Sequence, residues 1–143
     1  MTKAADIMHP GVQWISENET LARAAQLMRE LDVGALPISD SQERLCGILT
    51  DRDIVVDCVA VGKDPDRTTA GELAQGTPRW IGADADVTEV LREMEQHKIR
   101  RLPVIDKNKR LVGMITEADL ARHLSELSEQ QIAEFMKKVY AEA

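Results

Sequence analysis

The chain has 143 residues, 43% of them hydrophobic, which is enough for one compact domain or two small fused subdomains that fold without disulfide staples. A net charge of −7 and a pI near 5.0 set up a field that repels DNA, RNA and anionic membrane, so nucleic-acid and membrane partners are excluded as first readings. Cys46 and Cys58 are too few for a disulfide framework and lie in apolar runs, where both are expected as small buried hydrophobes. No stretch approaches the length of a membrane span, and the N-terminus lacks a signal-peptide core. The expected location is the cytoplasm.

In chain order, a short strand is expected around Gln13–Ile15, headed by Trp14. A helix follows, with Thr20 as N-cap and Leu21, Ala24, Ala25 and Met28 at helical spacing. Ala35-Leu36-Pro37-Ile38 reads as a strand that the proline marks as a start or an edge, Ser39 to Arg44 as a polar turn, and Leu45–Leu49 as a second strand. After Thr50 the chain enters another helix, with Ile54 and Val55 turned inward. The same series then recurs 66 residues on. Trp14-Ile15 matches Trp80-Ile81, Met28 matches Met94, Leu36-Pro37 matches Leu102-Pro103, and Gly47, Thr50 and Asp53 match Gly113, Thr116 and Asp119. The second helix carries Val87, Val90, Leu91 and Met94, with Asp86 as cap and Glu89 completing a box-like pattern, and the last helix of the copy turns Leu120 and Ala121 inward. One supersecondary unit occurs twice, each copy burying its apolar face against its twin. The two tryptophans, at equivalent positions, are read as paired core or rim residues.

Residues 128–143 form a separate amphipathic helix. Ser128 and Gln131 make a capping box, and Ile132, Phe135, Met136 and Val139 form a stripe that docks either on its own copy or on a second subunit.

The repeated strand–helix–strand–strand–helix order, the Leu-Pro-hydrophobic strands and the two Gly-x-x-Thr-x-x-Asp segments resemble a tandem pair of cystathionine-β-synthase (CBS) domains, over roughly residues 4–124. At whole-chain level the sequence is similar to small stand-alone CBS-pair proteins of bacteria. The resemblance implies an α+β fold of two βαββα repeats, 1–66 and 67–124, related by a pseudo-two-fold axis, with small three-stranded sheets flanked by helices and followed by the 125–143 helix. It also implies two clefts between the repeats that can hold an adenosine-type nucleotide such as AMP, ADP or ATP, and a homodimer.

Each Thr-x-x-Asp segment takes the chain from a strand into a helix, where unpaired N–H groups and the positive end of the helix dipole favour a phosphate beside Thr50 or Thr116. The resemblance gives Asp53 and Asp119 the ribose hydroxyls. Thr-x-x-Asp is equally a capping box that satisfies its own helix, and the two roles can coexist. The second copy carries Arg79, Arg100 and Arg101 where the first has Gln13, Gly34 and Ala35. Guanidinium forks suit phosphate, which predicts a tighter second cleft. The alternative leaves these arginines solvated or pairs them with Asp106, Glu93 or Glu95. Arg52 can serve either cleft. Adenine contacts are expected from backbone around Ala35-Leu36 and Arg101-Leu102, with apolar walls such as Val12, Ile48 and Met114.

His9, His97 and His123 are too far apart for a local metal motif, and no P-loop, dinucleotide fingerprint or nucleophile elbow is present. The sequence therefore predicts no catalytic residues, no metal ligands and no required cofactor. It points to a nucleotide-sensing regulatory module that signals through conformation or an unidentified protein partner. An assembly scaffold with unoccupied clefts and a metal- or redox-responsive protein are the other two readings.

Overall fold

The computed structural model describes residues 2–74, 78–123 and 127–140. The chain divides into two compact units. One, here the first-repeat unit, is Gln13–Pro78; the other, the second-repeat unit, combines Met1–Val12 with Arg79–Ala143.

In the first-repeat unit, β2 (Ile15–Ser16) precedes α2 (Leu21–Leu31), then β3 (Ala35–Ser39) and β4 (Leu45–Thr50) form a hairpin. The chain continues through α3 (Asp51–Ile54), a π-helical turn (Val55–Val59) and α4 (Ala70–Leu73). The sheet order is β2-β3-β4, with β3 parallel to β2 and antiparallel to β4. In the second-repeat unit, α1 (Ala4–Ile7) and β1 (His9–Pro10) come from the N-terminus. They are joined by β5 (Ile81–Gly82), α5 (Val87–His97), β6 (Arg101–Ile105), β7 (Leu111–Thr116), α6 (Glu117–Arg122) and α7 (Glu129–Tyr140). Its sheet runs β1-β7-β6-β5 and so has four strands rather than the expected three, because β1 from the N-terminus adds antiparallel to β7. The 66-shifted counterpart of β1 falls on residues 75–76, outside the described residues.

The internal registers repeat at the same shift of 66. Ile15 stands opposite Ile38 and Ala35 opposite Thr50, as Ile81 stands opposite Val104 and Arg101 opposite Thr116. Local chemistry explains why. Each hairpin turn is closed by an aspartate whose Oδ1 accepts from two backbone N–H groups: Asp40 from Gln42 (2.8 Å) and Arg44 (3.0 Å), Asp106 from Asn108 (2.8 Å) and Arg110 (3.0 Å). These N–H donors hold the Asp40 carboxyl below its ordinary range. Asp32 and Lys98 end α2 and α5 in the left-handed region, at φ 55° and 53°.

Several sequence expectations meet corrections. Pro37 and Pro103 lie in the middle of the central strands rather than at a start or an edge. Because β2 and β5 are two residues long and pair only from Ile38 and Val104 onward, no ladder partner stands beside the prolines on that side. All four apolar positions of α5 are buried, but on α2 Ala25 is exposed and Leu27 packs inward instead. Leu91, the counterpart of Ala25, faces the region covered by α7, which the first-repeat unit lacks among the described residues. Ile54 and Leu120 turn inward, but Val55 and Ala121 are exposed. Asp86 caps α5 without a return bond from Glu89. Cys58 is buried as expected; Cys46 is half-buried, its Sγ 3.7 Å from Glu17 Oε2, and burial with that carboxylate pushes its thiol pKa up. Trp14 and Trp80 are exposed, at 36% and 47%, so neither is a core residue.

The compact units are offset from the sequence repeats. Each repeat opens with a one-turn helix, α1 or α4, and each helix packs on the other copy. Ala4 and Ile7 belong to the core of Val90, Met94, Leu102 and Ile115; Ala70 and Leu73 belong to that of Leu21, Met28, Leu36 and Leu49. The backbone bonds match pair for pair. Ala4 N–H donates to Ala85 O (2.7 Å) and Ala5 to Ala83 (3.0 Å), as Ala70 donates to Glu19 (2.8 Å) and Gly71 to Glu17 (2.8 Å). With two apolar residues apiece, these helices are too short to announce themselves by periodicity.

Candidate functional site

The two Thr-x-x-Asp segments are capping boxes. Thr50 N–H donates to Asp53 Oδ2 (2.9 Å) and Asp53 N–H to Thr50 Oγ1 (3.1 Å), while Thr116 N–H donates to Asp119 Oδ2 (2.8 Å) and Asp119 N–H to Thr116 Oγ1 (3.4 Å). The local reading from sequence is therefore present in both copies, and what else reaches each carboxylate distinguishes them.

Asp53 is half-buried, and no donor among the described residues reaches its Oδ1. Arg52 beside it is exposed, and its guanidinium makes no ion pair or hydrogen bond among the described residues. Asp51 donates its N–H to Gly34 O (3.0 Å), and its carboxylate lies against Gly34, where an added Cβ would come within 3.2 Å of Oδ2.

Asp119 is enclosed, with 1% of its side chain exposed. His9 Nδ1–H, on β1, donates to Oδ2 at 2.7 Å; the carboxylate can only accept, so this nitrogen carries the proton. Thr116 Oγ1–H donates to the same oxygen at 3.0 Å, and Arg122 pairs with Oδ1. His123 Nδ1–H donates to the Asp119 carbonyl at 2.9 Å. Both carboxylate oxygens are thus taken from within the unit. His9 stands 110 residues away in sequence, and no local signal could have linked the two.

The three arginines differ as well. Arg79 Nε donates to Glu93 Oε1 at 2.8 Å, one of the pairings weighed from sequence. Arg100 Nε lies 3.7 Å from Glu117 Oε1, and its guanidinium sits 5.5 Å from the centre of the Tyr140 ring. The Tyr140 hydroxyl donates to Glu117, and burial together with that carboxylate pushes its pKa up. Arg101 is half-buried, stands opposite Thr116 in the β6–β7 ladder, and has no side-chain partner among the described residues. The structure therefore brings together Thr50, Arg52 and Asp53 in one unit and Arg101 and Thr116 in the other, and commits Arg79, Arg100 and Asp119 to internal partners. Among the described residues no group of three or more His, Cys, Asp or Glu side chains stands where it could share a metal ion. No described helix is long and apolar enough to cross a membrane.

Two βαββα copies in one register, each ending in a threonine-capped helix, define a paired CBS module. A CBS domain model matches residues 4–57 and again 70–126, and the chain belongs to the CBS-domain family. Its sequence is 52% identical to hypoxic response protein 1 of Mycobacterium tuberculosis over 139 residues, 97% of this chain and 94% of that protein. Among solved structures, hypoxic response protein I with two coordinated zinc ions is 54% identical, with a TM-score of 0.79 over 86% of this chain and 99% of that one. CBSX2 in complex with AMP, 21% identical, has a TM-score of 0.75 over 89% and 98% of the two chains, a likeness of fold alone.

Proposed function

We propose that this CBS pair is a regulatory module without catalytic activity that takes up an adenosine-type ligand, AMP, ADP or ATP, and signals through conformation or through association with another chain. The observation that carries the reading is the Thr50–Asp53 element. Its capping box leaves one Asp53 oxygen to accept from vicinal ribose hydroxyls, with Arg52, unpaired among the described residues, and the helix start beside it for phosphate. Arg101, opposite Thr116, is the corresponding hydrogen-bond donor to phosphate in the second-repeat unit. There the sugar would have to displace His9 or Arg122 from Asp119, so the first-repeat element is the stronger ribose acceptor, despite the greater number of arginines in the second copy.

Calorimetric titration of wild type, Asp53→Ala, Asp119→Ala and Arg101→Ala with adenosine, AMP and ATP tests this. Asp53→Ala is expected to weaken adenosine and AMP alike by about tenfold or more, and Arg101→Ala to weaken AMP and ATP but not adenosine. Equal losses from Asp53→Ala and Asp119→Ala would remove the asymmetry, and wild type that binds none of the three would favour the assembly scaffold. The zinc ions of the 54% identical relative support the metal-responsive reading. Stoichiometric zinc in protein purified without chelator would put that reading first.

The module is also proposed to form a homodimer. Two of the four α7 stripe residues are satisfied in its own unit, Phe135 by burial and Val139 by packing on the same core, whereas Val55, Val59 and Val61 are all about 60% exposed and support a self-association face. A monomer by light scattering at tens of micromolar, on the order where stable interfaces are populated, would overturn it.

A further inference from the structure

We propose that the second-repeat unit carries a binding site for a small, uncharged, largely apolar molecule bearing one hydroxyl group, in a hollow between α5, α6 and α7. The hollow has a volume of about 460 Å³ and is walled by Leu91 of α5, Ala118 and Ala121 of α6, and Ile132, Phe135 and Met136 of α7. Ligand pockets for drug-sized molecules run from roughly 300 to 1,000 Å³ with mainly apolar walls.

Its origin is visible in the chain. At positions 118 and 121 the second copy has alanines where the first has Arg52 and Val55, so α6 offers little bulk to the helix packed beside it. Helix α7 in turn is held by one buried side chain, Phe135, and by ties near its C-terminal end, Lys138 Nζ to Glu95 Oε2 at 3.7 Å and the Tyr140 hydroxyl to Glu117. A helix fixed at its middle and far end over small residues leaves space between.

Water fills such a space poorly. A held water needs about two to four polar partners, and among the described residues Glu117 is the only polar side chain in the lining. An apolar body recovers the dispersion contacts that the walls lack. Glu117 sets the polar end: its carboxylate accepts the Tyr140 hydroxyl and faces Arg100, yet keeps lone pairs for one further donor. A phenol or alicyclic alcohol meets that acceptor. A carboxylate or sulfonate is repelled by it and by the net charge of −7. A helix from a second copy is the poorer occupant, because a helix about 10 Å across fills roughly 420 Å³ per turn, so the hollow holds about one turn.

Titration of the full chain with 2-naphthol, naphthalene and 2-naphthoate, followed by probe fluorescence, tests the site. Saturable one-to-one binding of 2-naphthol is expected, about tenfold or more tighter than of 2-naphthoate. Ala121→Phe, which fills the hollow, should lose 2-naphthol by a similar factor with an unchanged or raised melting temperature. If that variant does not fold, Met136→Trp at the half-exposed rim replaces it. Glu117→Leu should erase the preference for 2-naphthol over naphthalene. The proposal is overturned if wild type shows no saturable binding, if a folded filled variant binds as well as wild type, or if 2-naphthoate binds as tightly as 2-naphthol. It also fails if Glu117→Leu keeps the preference, or if light scattering shows that the probe competes with dimer formation, which would place a second copy in the hollow.

Discussion

Asp53 and Asp119 occupy the same place in two copies of one motif. Each is the third residue of a helix begun by a threonine, and each returns its carboxylate to that threonine's N–H, at 2.9 Å and 2.8 Å. Beyond this box they part. Asp119 receives His9 from the N-terminal strand and Arg122 from its own helix, while Asp53 keeps an oxygen that no described donor reaches. Contacts made within a few residues follow the repeated sequence, and contacts brought by distant segments do not. A motif found twice therefore gives two similar scaffolds, but not two equivalent sites.

The strongest way to break this comparison is to remove each carboxylate. Asp119→Ala deletes a helix cap and also the shared acceptor of His9 and Arg122. It should cost about 3 kcal/mol, the low end for breaking a buried ion pair because both partners are themselves partly solvated. Asp53→Ala loses only the cap, about 1 kcal/mol. Urea unfolding of both variants checks the pair, and equal losses would mean that the His9 and Arg122 contacts add nothing.

Glycines 47 and 113 sharpen the same point at smaller scale. A Cβ on Gly113 would come within 2.9 Å of Met8 Cγ and 3.0 Å of the His9 carbonyl, pressing on β1, whereas on Gly47 it would meet Ala74 Cβ at 2.8 Å. Overpacking of this kind costs about 1–3 kcal/mol, so both alanine variants should unfold earlier. Only Gly113→Ala should also disturb His9, seen as a change in its imidazole resonances by NMR.

Tyr140 is the only tyrosine, so phenolate absorbance reports its titration without overlap. Its pKa is raised in the folded chain by burial and by Glu117, so it favours the folded state below the ordinary tyrosine range, and that contribution is lost as pH rises through the raised value. The midpoint should lie above about 10 and fall toward it in Glu117→Gln, with α7 loosening at alkaline pH. The first-repeat unit has no counterpart among the described residues and should show no matching transition.

The smallest effects should be equal in the two units. Glu43 and Lys109 take up left-handed backbone at φ 60° and 64° in matching hairpin turns. Replacing either by glycine should stabilise by about 0.5 kcal/mol, because the side chain crowds the carbonyl in that region. Unequal responses in thermal unfolding would show that even these turns feel their tertiary surroundings.

From the sequence by itself came the 66-residue repeat, the α2 and α5 stripes, the polar hairpin turns, the capping boxes at Thr50, Thr116 and Ser128, and from these the CBS family. All are legible because they are set by residues within about one helical turn or one hairpin of each other, where spacing implies contact. The tertiary structure alone decided which carboxylate is enclosed, that α1 and α4 pack on the opposite copy, that Tyr140 reaches Arg100 and Glu117, and that α7 leaves a hollow over Ala118 and Ala121. Those outcomes depend on which separate elements meet, Tyr140 and Glu117 across 23 positions and His9 and Asp119 across 110. A pairing such as His9 with Asp119 leaves no periodicity or spacing in the sequence by which it could be read.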